Sequence, residues 1–236
     1  MSTITIISLP PGDHPPMRIG SYTHLYFEPG ARIVVPDGAA VTALVLEPFA
    51  TCFRIDDPDI RGNLHRGGVG NHGIRLQGAT KGIINRAKIF DSASYGIGFQ
   101  GVDMFRYIEI NFADIIGCGR DGIDIKNDSG LVRDINLNGV LVRDHGLKAS
   151  GCAAIDHRGR INTREPRIEN LKAGQYGLRY RMDGPTGNGS ANWSSVSGGL
   201  VRCKGADRAA AVFVEPGSSN YPKPNVAGLN TVEVIS

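Results

Sequence analysis

Between residues 72 and 181 the chain repeats one short pattern of apolar and polar positions five times. The copies are His72-Gly73-Ile74-Arg75-Leu76, Tyr95-Gly96-Ile97-Gly98-Phe99, Asp121-Gly122-Ile123-Asp124-Ile125, Ala153-Ala154-Ile155-Asp156-His157 and Tyr176-Gly177-Leu178-Arg179-Tyr180. Each sets a small residue before an aliphatic one, then a variable position, then a bulky one. The small residues Gly73, Gly96, Gly122, Ala154 and Gly177 stand 23, 26, 32 and 23 positions apart. Self-similarity at this period marks a solenoid, in which no unit buries its apolar face alone.

A second aliphatic run follows four of the copies, at residues 82–84, 107–110, 134–137 and 167–171, and a third at 87–89, 114–116 and 140–142. These runs alternate with period two, which predicts strands. Gly, Asn, Asp and Ser stand at the boundaries, where tight turns need positive φ or a side-chain cap. Three short strands per coil with no helical stretch predict an all-β chain: a single-stranded right-handed parallel β-helix. Residues 1–236 read as one domain. Entry coils and a cap fall in 1–50, regular coils in 51–215, and a loop with a last strand in 216–236. The segments 182–191 and 216–224 read as long loops, and insertions in solenoids often line the binding face.

Side chains alternate across a strand. With Ile74, Ile97, Ile123, Ile155 and Leu178 inward, the next positions are expected to face solvent as a ladder of Arg75, Gly98, Asp124, Asp156 and Arg179. Two positions on, Gln77, Gln100, Lys126, Arg158 and Arg181 form a second ladder. Stacked Asp124 and Asp156 would raise one another's pKa, as a carboxylate pair that cleaves glycosidic bonds requires. They are the candidate catalytic residues. Arg75, Lys126, Arg158, Arg179 and Arg181 are candidates to hold a substrate carboxylate, and Tyr95 and Tyr176 to stack on sugar rings. Alternatively, these charges merely pair across coils and keep the sheet soluble. His157 falls on an inward position, and His145 lies beside Asp144 in a loop.

Composition narrows the partner. The net charge is +3, from 26 Lys and Arg against 23 Asp and Glu, with the basic residues dispersed. This gives no nucleic-acid arm and is compatible with an acidic polymer. Cys52, Cys118, Cys152 and Cys203 stand 66, 34 and 51 positions apart, far from metal-ligand spacing, and read as free thiols. No metal or cofactor is expected. Residues 1–9 lack a basic leader and a long apolar core, so they do not read as a secretory signal, and no stretch suits a membrane span.

The chain resembles the pectate-lyase-like, right-handed β-helix superfamily of polygalacturonases, pectate lyases, alginate epimerases and phage tailspikes. Residues 25–39, LYFEPGARIVVPDGA, are similar to the entry coils of such proteins, and YGIGF and DGIDI to their middle coils. Gly122, Ile123 and Asp124 resemble the Gly-Phe-Asp of the epimerase motif Tyr-Gly-Phe-Asp-Pro-His-Asp. The resemblance thereby implies a catalytic role for Asp124, with Lys126 and Asn127 standing where that motif has His and Asp. Against polygalacturonases, residues 120–124 lack the Asn-Thr lead of the Asn-Thr-Asp motif. His145-Gly146 follows Asp144 where Gly is expected, and Arg179-Tyr180-Arg181 loosely echoes Arg-Ile-Lys. The resemblance implies a glycan-binding, polysaccharide-degrading homotrimer of the tailspike kind, hydrolase or lyase, on a virion or otherwise extracellular without a signal peptide. Its alternatives are a non-catalytic structural or adhesive β-helix of a virion, and a secreted lyase, polygalacturonase-like hydrolase or uronate epimerase lacking its leader.

Overall fold

The computed structural model describes residues 3–65, 71–101, 104–125, 132–170, 174–181, 194–204, 211–214 and 225–234. Its strands form three parallel sheets of nine, nine and eight strands, here A, B and C. In each sheet, neighbours come from successive coils, and the chain visits A, B and C in turn. This is the right-handed parallel β-helix expected from the repeat, with no helical layer among the described residues. Sheet C holds the five repeats, in the strands Ile74–Leu76, Ile97–Phe99, Ile123–Ile125, Ala153–His157 and Tyr176–Tyr180. Two earlier strands, Met17–Ile19 and Leu44–Leu46, precede them, and Val212–Val214 follows. Ile74, Ile97, Ile123, Ile155 and Leu178 all lie fully inside.

The second and third aliphatic runs are the strands of sheets A and B, with one correction. Arg167–Asn170 is a strand of sheet B, and the sheet A strand of that coil is Ile161–Arg164. Its Asn, Thr and Arg positions disguised it, for only Ile161 carries the apolar signal. The short strands Gly12–His14, Met17–Ile19, Asp59–Arg61 and Asn225–Ala227 also go beyond the aliphatic runs.

The glycine at the small position of four repeats has a steric cause, while Ala154 carries a Cβ there. A Cβ placed on Gly96 would lie 2.3 Å from Ile115 Cγ2, and one on Gly122 2.4 Å from Val142 Cγ1. Sheet C therefore bends at this position against the inward column of sheet B, which includes Ile89, Ile115, Val142, Ile168 and Val201. Opposite, the turn from sheet A to sheet B is tied by a ladder of side-chain amides. Asn138 Nδ2 donates to Asn111 Oδ1 at 2.7 Å, Asn111 to Asn85 at 2.9 Å, and Asn85 to Asp56 at 2.7 Å. Burial would raise the Asp56 carboxyl, but Arg54, Asn85 and His24 donate to it and bring it down to about 2. The residue after each rung of the ladder takes a left-handed conformation: Asp57, Arg86, Phe112 and Gly139 have φ of 56°, 51°, 56° and 60°.

Cys52, Cys118 and Cys152 are free thiols. His157 faces inward as expected, stacked on Tyr180 at 4.3 Å with Nε2 2.9 Å from Thr163 Oγ1. No helix of the described residues is long and apolar enough to cross a membrane.

Candidate functional site

The variable positions of the repeat lie in register on the outer side of sheet C. Arg18, Val45, Arg75, Gly98, Asp124, Asp156, Arg179 and Phe213 pair successively along the helix axis. Asp124 and Asp156 thus stand on adjacent coils, as the ladder predicts. Their exposure corrects the expectation: both are 0 % exposed, Arg158 is 2 %, and Arg179 is also buried.

The cause is the bend at the small residue, which interrupts the alternation. Residues just before the bend swing over the outer column instead of continuing the in–out pattern. His72 and Tyr95 stack on each other at 4.9 Å. They occupy the space above Gly98, where a Cβ would lie 3.4 Å from a ring carbon of each. Asp121 arrives the same way, between Arg179 and the next coil. Tyr176 stacks on Phe213 at 4.4 Å, with the Arg179 guanidinium 5.9 Å from its ring. Tyr95 and Tyr176 therefore each spend a ring face on a neighbour within the chain.

Under this roof lies an ion cluster. Asp121, Asp124 and Asp156 each bring an oxygen within 4.8 Å of the others. Asp156 accepts from Arg158 Nη2 at 2.8 Å, from Arg179 Nη2 at 2.8 Å and Nε at 3.1 Å, and from Arg181 Nη2 at 2.7 Å. Arg158 also lies 3.6 Å from Asp124, which accepts from Gln100 Nε2 at 3.0 Å. Asp121 accepts from the Ala153 amide at 2.5 Å and faces Arg179 at 3.4 Å. Three carboxyl groups meet three guanidinium groups, so the cluster is close to neutral. The three oxygens have metal-ligand spacing, but guanidinium donors already take the Asp156 lone pairs that a dication would need. The donor set fits an internal salt-bridge network better than a metal centre.

Titration follows from this packing. Burial first, then the charge of Asp156, pushes the Asp121 carboxyl up to about 6, against the pull of Ala153 N–H and Arg179. Burial and the nearby Asp124 push the Tyr95 hydroxyl up to about 12, although Arg120 donates to it. Burial opposes the charge on Arg179, but its bonds to Asp156 hold the pKa above the usual value. His145 is fully buried and bonds the Tyr176 carbonyl at 2.9 Å instead of pairing with Asp144. Burial brings it down to about 4.

Of the candidate residues, the structure gathers Asp124, Asp156, Arg158, Arg179 and Arg181 in one cluster, with Tyr95 and Tyr176 at its margins. Arg75 stands two coils from Asp124 on the same column and outside the cluster. Lys126 lies outside the described residues, as do the segments 182–191 and 216–224. Asp121 and Arg120 were missed, and the signal for them was positional. Asp121 precedes the small residue of its copy, the position that the bend folds over the ladder.

No family model matches this chain, and no curated protein matches it in sequence. Three solved structures are similar in fold. The A-module of the mannuronan C-5 epimerase AlgE4 of Azotobacter vinelandii matches 99 % of this chain and 91 % of its own, at 11 % identity and a TM-score of 0.40. The surface protein and adhesin PfbA of Streptococcus pneumoniae matches 98 % and 91 %, at 9 % identity and a TM-score of 0.42. The catalytic unit of a thermostable GH87 α-1,3-glucanase of Streptomyces thermodiastaticus matches 98 % and 63 %, at 11 % identity and a TM-score of 0.36.

Proposed function

We propose that the chain is a glycan-binding β-helix that takes an extended polysaccharide along the outer side of sheet C. The observation that carries this reading is the in-register outer side of sheet C, whose rungs repeat at about 4.8 Å and which borders an open cleft at Arg18, Val45 and Arg75, beyond the buried stretch from Gly98 to Arg179. A stiff scaffold that repeats at a fixed rise suits an extended polymer better than a compact metabolite. A small net charge with dispersed cations argues against nucleic acid, and the resemblance of the entry and middle coils favours glycans. In this reading the salt-bridge network holds the rungs in place and is not the reactive centre, because Asp124 and Asp156 are shut away from any polymer. The setting proposed is a virion surface or the cell exterior, with the chain as a homotrimer.

The test is binding of the full chain to a panel of neutral and acidic polysaccharides, measured by calorimetry and by retention on immobilised polymer. Saturable binding to at least one polymer is expected, without new reducing ends or unsaturated products. Absence of binding across the panel would sink the proposal.

A second reading has one observation of its own. Asp121, held near 6, is a carboxyl able to carry a proton close to neutrality beside a second carboxylate, as a glycosidase acid must. It requires turnover that Asp121→Asn abolishes, and the product assay above decides it.

A further inference from the structure

The basic residues are dispersed along the sequence, yet three of them fall one coil apart. Arg106, Arg133 and Arg160 stand 27 and 27 positions from one another. Arg106 and Arg133 are register partners near the start of sheet A, and the Arg160 amide donates to the Val132 carbonyl at 3.0 Å from the coil that follows. Three guanidinium groups therefore stack at the corner where the chain passes from sheet C to sheet A, over two rungs or roughly 10 Å.

A bulge shapes this corner. The register steps from Arg106 and Arg133 to Ile108 and Ile135, passing over Tyr107 and Asp134. Both have left-handed φ, 57° and 55°, and Cys52 and Lys81 continue the same unpaired column at 54° and 53°. A residue as bulky as tyrosine takes this conformation at a cost, and bulges re-aim side chains beside functional sites. Tyr107 is 47 % exposed, with the Arg106 guanidinium 4.4 Å from its ring, a cation–π contact.

The three charges are not committed within the fold. Elsewhere arginines close on a carboxylate, as Arg86 does on Asp57 with two bonds of 2.6 Å. Here one carboxylate, Asp134, serves the group. Its oxygens lie 3.7 Å from Arg106 Nε and 3.5 Å from Arg160 Nη1, beyond the length of a charge-assisted hydrogen bond. Among the described residues, Arg133 has no carboxylate at ion-pair distance, and the Nε atoms of all three arginines lack a hydrogen-bond partner. Like charges on facing rungs repel. Three arginines against Asp134 leave two positive charges in excess, and the Arg106 and Arg160 side chains are accessible, 39 % and 43 % exposed.

A phosphate group answers this excess. It carries close to two negative charges at pH 7 and presents three or more acceptor oxygens, enough for guanidinium groups on successive rungs. A carboxylate supplies one charge and two oxygens. We propose that the corner of Arg106, Arg133 and Arg160 is a phosphate-binding site, with Tyr107 supporting the Arg106 guanidinium. The site is independent of the glycan-binding reading, since none of these residues belongs to the outer column of sheet C.

The test is calorimetric titration of the full chain, in chloride buffer of fixed ionic strength, with sodium phosphate, phenyl phosphate and sodium acetate in separate arms. Phosphate or phenyl phosphate is expected to bind saturably, and acetate at least tenfold more weakly. The tighter of the first two says whether the site takes the free ion or an ester. Arg133→Gln and Arg160→Gln should each weaken that binding about tenfold or more, because each removes a charge-assisted partner. In phosphate-free buffer Arg133→Gln should melt no more than about 4 °C below the parent, since it relieves repulsion and has no ion pair to lose. Absence of binding in both phosphate arms, acetate within tenfold of phosphate, or parental affinity in both variants overturns the site. A larger drop in the phosphate-free melting of Arg133→Gln overturns it as well, because the charge would then be spent within the fold.

Discussion

Asp156→Asn is the substitution that most directly tests the cluster. An exposed carboxylate in an alternating ladder would contribute little stability, and its replacement would leave melting nearly unchanged. The structure reverses that expectation. Asp156 is fully buried and accepts from three arginines at 2.7–2.8 Å. Asparagine removes the charge and turns one oxygen into a donor aimed at guanidinium donors, leaving buried positive charge uncompensated. Breaking a buried ion pair on one side costs about 3–5 kcal/mol. For a chain of this size each kcal/mol moves Tm by about 2–4 °C, so the expected loss is roughly 6–20 °C.

The assay is thermal unfolding at pH 7 by circular dichroism, with urea unfolding as a check on magnitude. Glu169→Gln serves as the control: its bond to Arg143 is 3.1 Å long but the two side chains are 28 % and 45 % exposed, so the loss should stay below about 1 kcal/mol. A double variant of Asp156→Asn with Arg179→Met should lose less than the sum of the single losses, because the second change removes a charge the first stranded. If Asp156→Asn melts within about 2 °C of the parent, the cluster is not the support argued here. Accessible, functional carboxylates would then regain their place.

Acid should destabilise the fold through His145 and His157. Burial brings both down to about 4 from the ordinary 6.5, so their contribution is whole above 6.5 and lost as pH falls toward 4, about 3 kcal/mol each. Asp121 works in the opposite sense: its raised pKa gives stability that is present below about 4 and lost as pH rises through about 6. The stability of Asp121→Asn relative to the parent should therefore increase between pH 4 and pH 7, and a difference independent of pH would contradict the assigned shift. Gly96→Ala should cost about 1–3 kcal/mol in urea unfolding, because its Cβ would lie 2.3 Å from Ile115 Cγ2; an unchanged midpoint would refute the account of the small-residue column. The proposed trimer is checked by light scattering at micromolar concentration, where a monomer alone would contradict it.

The inward column was legible because burial and period two agree there. Ile97, Ile123 and Ile155 are apolar, recur at coil spacing, and could sit nowhere else in a solenoid. The strand Ile161–Arg164 was less legible, since only Ile161 and Thr163 turn inward and Thr163 does so by bonding the buried His157. The amide ladder of Asn85, Asn111 and Asn138 lies in the sequence at near-regular spacing. Only the register shows that each amide donates to the one on the coil before.

The outer column marks where strand alternation stops being sufficient. Alternation says which side of a sheet a residue takes, and it placed Asp124 and Asp156 correctly. Exposure on that side depends on what else is folded there, and the bend decides this. Because sheet C must turn sharply at Gly96 and Gly122 to clear Ile115 and Val142, the preceding Tyr95 and Asp121 are redirected outward over the ladder. The same bend thus packs the interior and roofs the exterior. It turns two adjacent carboxylates, which on an open sheet would repel each other and seek a substrate, into the centre of a neutral arginine network. Around Val45, by contrast, the outer column borders a cleft lined by Arg18, Arg75, Met17 and Val41.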